Sequence, residues 1–110
     1  MTAAASHPRH DLDELLQSPV RLSLVAALAG VERADFRGLR DTVELSDSAL
    51  SKQLSALETA GYVALAKDRV GRRPRTWVSV TPAGRAALAG HLAALRAIAA
   101  VTVDAPDDEA

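Results

Sequence analysis

Five cations packed into nine residues, and a short run of small hydroxyls just before them, are the chemistry-bearing features of this sequence. Lys67, Arg69, Arg72, Arg73 and Arg75, with Asp68 as the lone acid, give residues 67–75 a net charge of +4. In residues 46–59, Lys52 stands against Asp47 and Glu58 for a net of −1, and the whole chain also carries −1, so everything else holds about −4. Attraction for a polyanion is therefore concentrated in the basic stretch. The hydroxyls precede it: Ser48, Ser51 and Ser55, with Lys52, fall on one side of a helical projection, and Leu50, Leu54 and Leu57 recur at i, i+4 and i+7 on the other. Short hydroxyls and one ammonium group can bond base edges or phosphate oxygens at close approach. The same serines also fit an inert solvated face.

Other chemistries find no support. No cysteine is present, which excludes disulfides, thiolate metal sites and thiol redox switching. His7, His10 and His91 show no metal-ligand spacing with one another, no glycine-rich phosphate loop occurs, and no histidine on an assigned element sits near a serine or a carboxylate pair. The reading is a binding protein without catalytic residues, metal or cofactor.

The elements that must position these groups follow from the rest of the chain. At 110 residues, 48% apolar, with one Phe, one Trp and one Tyr, the chain forms a single domain whose core is Leu, Val and Ala. Residues 1–10 read as a flexible tail, and residues 11–17 as a short amphipathic helix with acids in its first turn. Ser18-Pro19 opens a second helix, with Leu22, Val25, Ala26, Leu28 and Ala29 on its apolar side and Gly30 stopping it. Arg33-Ala34 is extended, and Asp35 caps a third helix with Phe36 and Leu39 facing inward. Residues 43–45 turn into the serine-faced helix, which Ser46 caps and Gly61 ends. A short helix, a three-residue turn and a longer polar-faced helix make a helix-turn-helix. The period then changes to two at Val63 and Leu65, and again at Thr76, Val78 and Val80, predicting a β-hairpin around the basic loop 67–75. Gly71 permits the turn, and Pro74 keeps the second strand extended. Thr81-Pro82 caps a last helix running to about residue 101, and residues 102–110 form an acidic tail expected to be disordered.

Residues 50–63 (LSKQLSALETAGYV) and 72–85 (RRPRTWVSVTPAGR), in this order and separation, resemble the winged-helix transcription regulators of the MarR and ArsR type. The resemblance covers residues 11–100 and is nearest to the small single-domain branch. It implies an α+β winged helix-turn-helix, mainly α with a small hairpin, and a homodimeric regulator of double-stranded DNA, most often a repressor. Many relatives release DNA on binding a small molecule or metal. With no cysteine and an isolated His91, no metal site carries over, and the effector stays unidentified.

On this reading the DNA-binding residues are Ser46, Ser48, Ser51, Lys52 and Ser55 of the recognition helix and Lys67, Arg69, Arg72, Arg73 and Arg75 of the wing. The helix would lie in the major groove and the wing in the minor groove, whose negative potential attracts guanidinium groups. Arg37 and Arg40 are weaker candidates for backbone contact, and Trp77 is expected to pack on the wing. Leu88, Leu92, Leu95 and Ala99, widened by Ile98, form a near-heptad seam on the last helix. Leu12, Leu15 and Leu16 belong to a segment too short to be stable alone and are expected to join that dimer interface. Two-fold symmetry would match a pseudo-palindromic operator. The non-basic recognition helix also fits a winged-helix protein-interaction module without DNA binding. No apolar run reaches the length of a membrane span, and no hydrophobic signal core opens the chain, so a cytoplasmic protein is expected.

Overall fold

Every α-helix among the described residues starts at a residue that can accept a hydrogen bond from its own first turn. The computed structural model describes residues 6–106. Helix α1 (Pro19–Ala29) is capped by Ser18, α2 (Phe36–Thr42) by Asp35, α3 (Asp47–Thr59) by Ser46 and α4 (Pro82–Ala100) by Thr81. In each case the cap oxygen takes the N–H three residues on, at 2.7–3.3 Å. Such a cap contributes about 1 kcal/mol. The C-termini are equally specified. Gly61, at φ +80, ends α3 while its N–H bonds Glu58 O and the Tyr62 N–H bonds Leu57 O, the two reciprocal bonds of a Schellman cap. Helix α2 ends in the same way around Glu44, the only non-glycine residue with positive φ among the described residues.

Three strands complete the fold: β1 (Ala34–Asp35), β2 (Val63–Val70) and β3 (Arg73–Val80), in the order β1-β3-β2 and antiparallel throughout. The winged-helix α+β class expected from the sequence is what the chain adopts. Its basic loop, however, is mostly strand. Lys67 pairs with Thr76, Asp68 with Arg75, Arg69 with Pro74 and Val70 with Arg73, leaving only Gly71 and Arg72 at the turn. Gly71 has φ +65 and Arg72 does not share it, the sign pattern of a two-residue type II′ hairpin. Proline is tolerated in β3 because β1 pairs only with Trp77 and Val78, so Pro74 sits on a free edge.

The core joins Leu16, Leu24, Val25 and Leu28 to Leu39, Leu50, Leu54 and Leu57, with Val63, Val78, Val80 and Leu88 closing it. The leucine stripe of α3 therefore faces inward, and the serine face is left outside. Helix α1 is rotated from the expectation: Leu24 is fully buried, whereas Ala26 is exposed. Runs of Leu, Val and Ala carry little phase information, so alanine was indistinguishable from a core position. At Gly84 a Cβ would overlap the Tyr62 carbonyl and lie 2.8 Å from Val80 Cγ2, which seats α4 tightly on the start of β2.

The N-terminal segment differs most. Instead of one amphipathic helix it makes two 3-10 turns, Pro8–Asp11 and Leu15–Gln17. The first lies against α4, although residues 8–10 had the composition of a loose tail. Pro8 and the early acids favour a first turn, but too few residues follow to propagate a helix. Tertiary bonds hold the segment instead. The Asp13 N–H donates to His91 Nδ1 at 3.0 Å, Asp13 Oδ1 accepts the Leu16 N–H at 3.1 Å, and Asp13 Oδ2 accepts the Tyr62 hydroxyl. His91, read as ordinary from sequence, is 2% exposed and ties this segment to α4. Residues 101–106 are irregular and exposed; Asp107, Asp108 and Glu109 of the expected acidic tail, like residues 1–5 of the N-terminal tail, lie outside the described residues.

Candidate nucleic-acid interface

Burial of Leu50, Leu54 and Leu57 leaves Ser48, Ser51, Lys52 and Ser55 exposed on the outer side of α3. None of these four donates to a core group; Ser48 alone has a side-chain neighbour, Ser46 Oγ at 3.3 Å. Ser46 itself is committed to its helix, accepting the Ala49 N–H at 3.1 Å. Its hydroxyl thus fixes the start of the helix and is the least free of the predicted contacts. Gln53, at the edge of this face, is half-buried and turned inward, where its Oε1 accepts from Arg21 Nη1 at 3.0 Å while Arg21 Nε donates to Leu15 O at 2.7 Å. The helix therefore presents hydroxyls, one lysine and, toward its end, the carboxylate of Glu58, and its only amide works as an anchor to α1.

The acid at the N-terminus of α3 is neutralised from α2. Arg40 lies 2.9 Å from Asp41 and 2.7 Å from Asp47, and those two hydrogen bonds, followed by the charge of the same carboxylates, raise its pKa above the ordinary arginine value. Arg40, expected as a possible backbone contact, is an intramolecular clamp across the helix-turn-helix. Arg37 remains exposed.

Pairing in the hairpin decides where the wing cations point, because directly opposed residues share a face. Lys67 and Arg69 lie on the face that carries Val63 and Leu65 toward α3, Arg73 and Arg75 on the other, and Arg72 at the tip. Lys67, Arg69, Arg72 and Arg73 are exposed and form no ion pair among the described residues; Arg75 is half-buried, 4.0 Å from Asp35. The ribbon thus carries cations on both faces. A groove of about 240 Å³ separates α3 from the wing, with Ser51, Ser55, Glu58, Lys67 and Thr76 around the apolar Phe36, Leu54 and Leu65.

The expected dimer residues divide. Leu16 is fully buried and Leu88 is 9% exposed within the protomer's own core, so neither offers surface to a partner. Their spacing fitted a seam equally well because the inner face of α4 is one continuous stripe. Leu12, Leu15, Leu92 and Ile98 are half-buried, while Leu95 and Ala99 are exposed. No three His, Asp or Glu side chains among the described residues come together as a metal site. No helix of the described residues is long and apolar enough to cross a membrane.

A helix-turn-helix followed by a basic β-wing defines a DNA-binding class, and residues 20–99 match the family model of the winged helix DNA-binding domain. The chain belongs to that family. Within it the protein is a winged-helix regulator, and the solved structures it resembles are transcriptional regulators. An uncharacterised protein from Methanocaldococcus jannaschii is 30% identical over 79 residues, 72% of this chain and 86% of its own. Among solved structures, a transcriptional regulator homologue from Pyrococcus horikoshii superposes with a TM-score of 0.73 at 29% identity, covering 79% of this chain and 86% of that one. A MarR-family regulator from Silicibacter pomeroyi gives 0.63 at 25% identity, over 84% of this chain and 62% of its own.

Proposed function

We propose that the protein is a homodimeric repressor that binds a pseudo-palindromic operator in double-stranded DNA, with α3 in the major groove and the hairpin in the minor groove. The carrying observation is the division of charge between them. Helix α3 offers Ser48, Ser51, Lys52 and Ser55, with Asp47 already paired to Arg40. Its direct readout is modest, since serine hydroxyls bond several base edges equally well. Affinity comes from Lys67, Arg69, Arg72, Arg73 and Arg75, and the cations on both faces of the ribbon suit a groove walled by two phosphate backbones. Specificity then rests on groove shape and on the spacing of two half-sites.

Homodimerisation is supported by α4. Leu88, Leu92, Leu95, Ile98 and Ala99 continue one helical face, but the protomer covers only its beginning. Beyond Ala94, Leu95 is 40% exposed, and the apolar Val101 and Val103 follow at 49% and 91%. An uncovered stripe of this kind, together with Leu12 and Leu15, fits packing against a second copy. A small-molecule effector, implied by the MarR resemblance, would act on the arrangement of α4 relative to the reading head.

The test is a mobility-shift assay with DNA from upstream of the protein's own gene. A retarded band that resists excess unrelated duplex, with two protomers per duplex by sedimentation, is expected. Binding no tighter than to an equal-length control duplex, at low salt, would replace this reading with that of a protein-interaction module.

A further inference from the structure

Where β1 ends, the free edge of β3 and the start of α2 enclose a recess of about 180 Å³ lined by Asp35, Phe36, Arg37, Arg73, Pro74, Arg75 and Thr76. Three arginines and a single carboxylate thus share its lining. That carboxylate is engaged: Asp35 Oδ1 accepts the Gly38 N–H at 2.7 Å, and Oδ2 lies 4.0 Å from Arg75 Nε. Arg37 and Arg73 form no ion pair among the described residues, and the cavity is large enough to admit a phosphate group. Phe36 and Thr76 line both this recess and the groove beside α3. A polyanion lying along α3 and under the wing therefore passes the mouth of the recess.

A second feature aims one of these arginines. Trp77, the only tryptophan in the chain, follows Arg75 on the same face of β3. The guanidinium carbons of Arg33 and Arg75 lie 3.8 and 5.3 Å from its ring centroid. Its indole N–H donates to Asp68 Oδ2 at 3.1 Å, so the acid within the basic wing fixes the ring. A guanidinium lying over an aromatic face keeps its N–H edge free for a second partner while losing much of its rotational freedom.

We propose that this recess seats one phosphate of the DNA backbone, held by Arg37, Arg73 and Arg75, and that Trp77 is the positioning residue that keeps Arg75 aimed at it. The site is separate from the wing tip and brings α2 into the contact. It rests on the DNA-binding reading above and extends it to residues on the shoulder of the wing.

The experiment measures binding of a fluorescein-labelled, mixed-sequence duplex across a salt series for the wild type and for Arg37→Ala, Arg75→Ala, Trp77→Leu, Trp77→Phe and the Trp77→Leu/Arg75→Ala pair. Arg37→Ala and Arg75→Ala should each weaken binding several-fold and lower the slope of log K against log salt by about 1. Trp77→Leu should weaken binding several-fold alone and add nothing in the Arg75→Ala background, whereas Trp77→Phe, which keeps an aromatic face, should restore most of the affinity. A slope unchanged by Arg37→Ala overturns the phosphate seat. An equal effect of Trp77→Leu with and without Arg75 makes Trp77 merely structural and overturns its positioning role. Should Trp77→Leu fail to fold, Trp77→Phe and the two arginine variants still decide the matter. Replacing chloride by inorganic phosphate at constant ionic strength should lower wild-type DNA affinity, and Arg37→Ala should blunt that loss; tight binding of inorganic phosphate to the DNA-free protein by calorimetry, with DNA affinity unaffected by Arg37→Ala, would assign the recess to a free phosphate ion instead. A wild type that binds no duplex at low salt would overturn the DNA-binding reading itself, an outcome distinct from all of these.

Discussion

Neutralising Lys67, Arg69 and Arg72 together should remove most of the salt dependence that the wing supplies, while leaving the fold intact. All three side chains are exposed, and none is held by an acid among the described residues. Each is thus free to replace one condensed counterion on a phosphate, worth about 0.9 in the slope of log K against log salt. Three such contacts amount to about 2.7. Raising salt from about 50 to 200 mM, the wild type should then lose roughly 40-fold more affinity than the triple alanine variant. Stability should change little, within about 0.5 kcal/mol per site, because no buried contact is removed. Fluorescence anisotropy with one duplex at several salt concentrations gives the slope, and a thermal melt gives the control. A variant that melts like the wild type and keeps its full salt slope would refute the assignment of the wing as the source of attraction.

Three other perturbations test the scaffold. Glu44 occupies the left-handed position at the end of α2 with φ 57, so Glu44→Gly should stabilise the protein by about 0.5–1 kcal/mol, read as a higher urea midpoint with an unchanged m-value. Replacing His91 by Leu removes the acceptor of the Asp13 N–H and should cost about 1–3 kcal/mol; protease nicking within residues 8–17 should rise in parallel, and no change in either would show that the N-terminal segment is held otherwise. Tyr62, the sole tyrosine, has its pKa raised by its hydrogen bond to Asp13, then by burial and the Asp13 charge. Its folded pKa lies above the unfolded value, so its contribution is complete below about pH 10 and is lost as pH rises through the folded value. Tyr62→Phe should flatten that alkaline loss, which tyrosinate absorbance followed with denaturation would detect.

Much of this was legible in the chain because local signals agreed with the tertiary result. Ser18, Asp35, Ser46 and Thr81 are caps in sequence and in structure, and the stripe of Leu50, Leu54 and Leu57 had one face to bury. What the sequence hid depends on distant partners. Spacing puts Gln53 at the edge of the outer face of α3, and Arg21, 32 residues away, draws it inward. Leu16 and Leu88 fitted a dimer seam because a continuous apolar stripe does not say where the protomer ends and the partner begins. The length of the wing strands was masked by arginine, which has no strong alternation of its own when both faces of a ribbon are solvated. Trp77 was expected to pack, and its engagement of Arg33 required β1 to bring residue 33 beside β3.

The pairing of Arg40 with Asp47 changes how the reading helix should be understood. Counted alone, α3 is slightly acidic and a poor candidate for approaching phosphate. Within the fold, the acid at its start is covered by an arginine from the preceding helix at 2.7 Å, and its glutamine is retained by α1. The surface that remains is small, hydroxylated and nearly neutral, so it can enter a groove closely without adding much sequence-independent attraction. On the proposed reading that attraction lies on the wing, whose cations project from both faces of the ribbon. On the proposed reading, separating the two functions would make affinity and readout independently adjustable: charge changes in the wing are expected to alter binding to all DNA, and changes at Ser48, Ser51 or Ser55 to alter the choice among sequences.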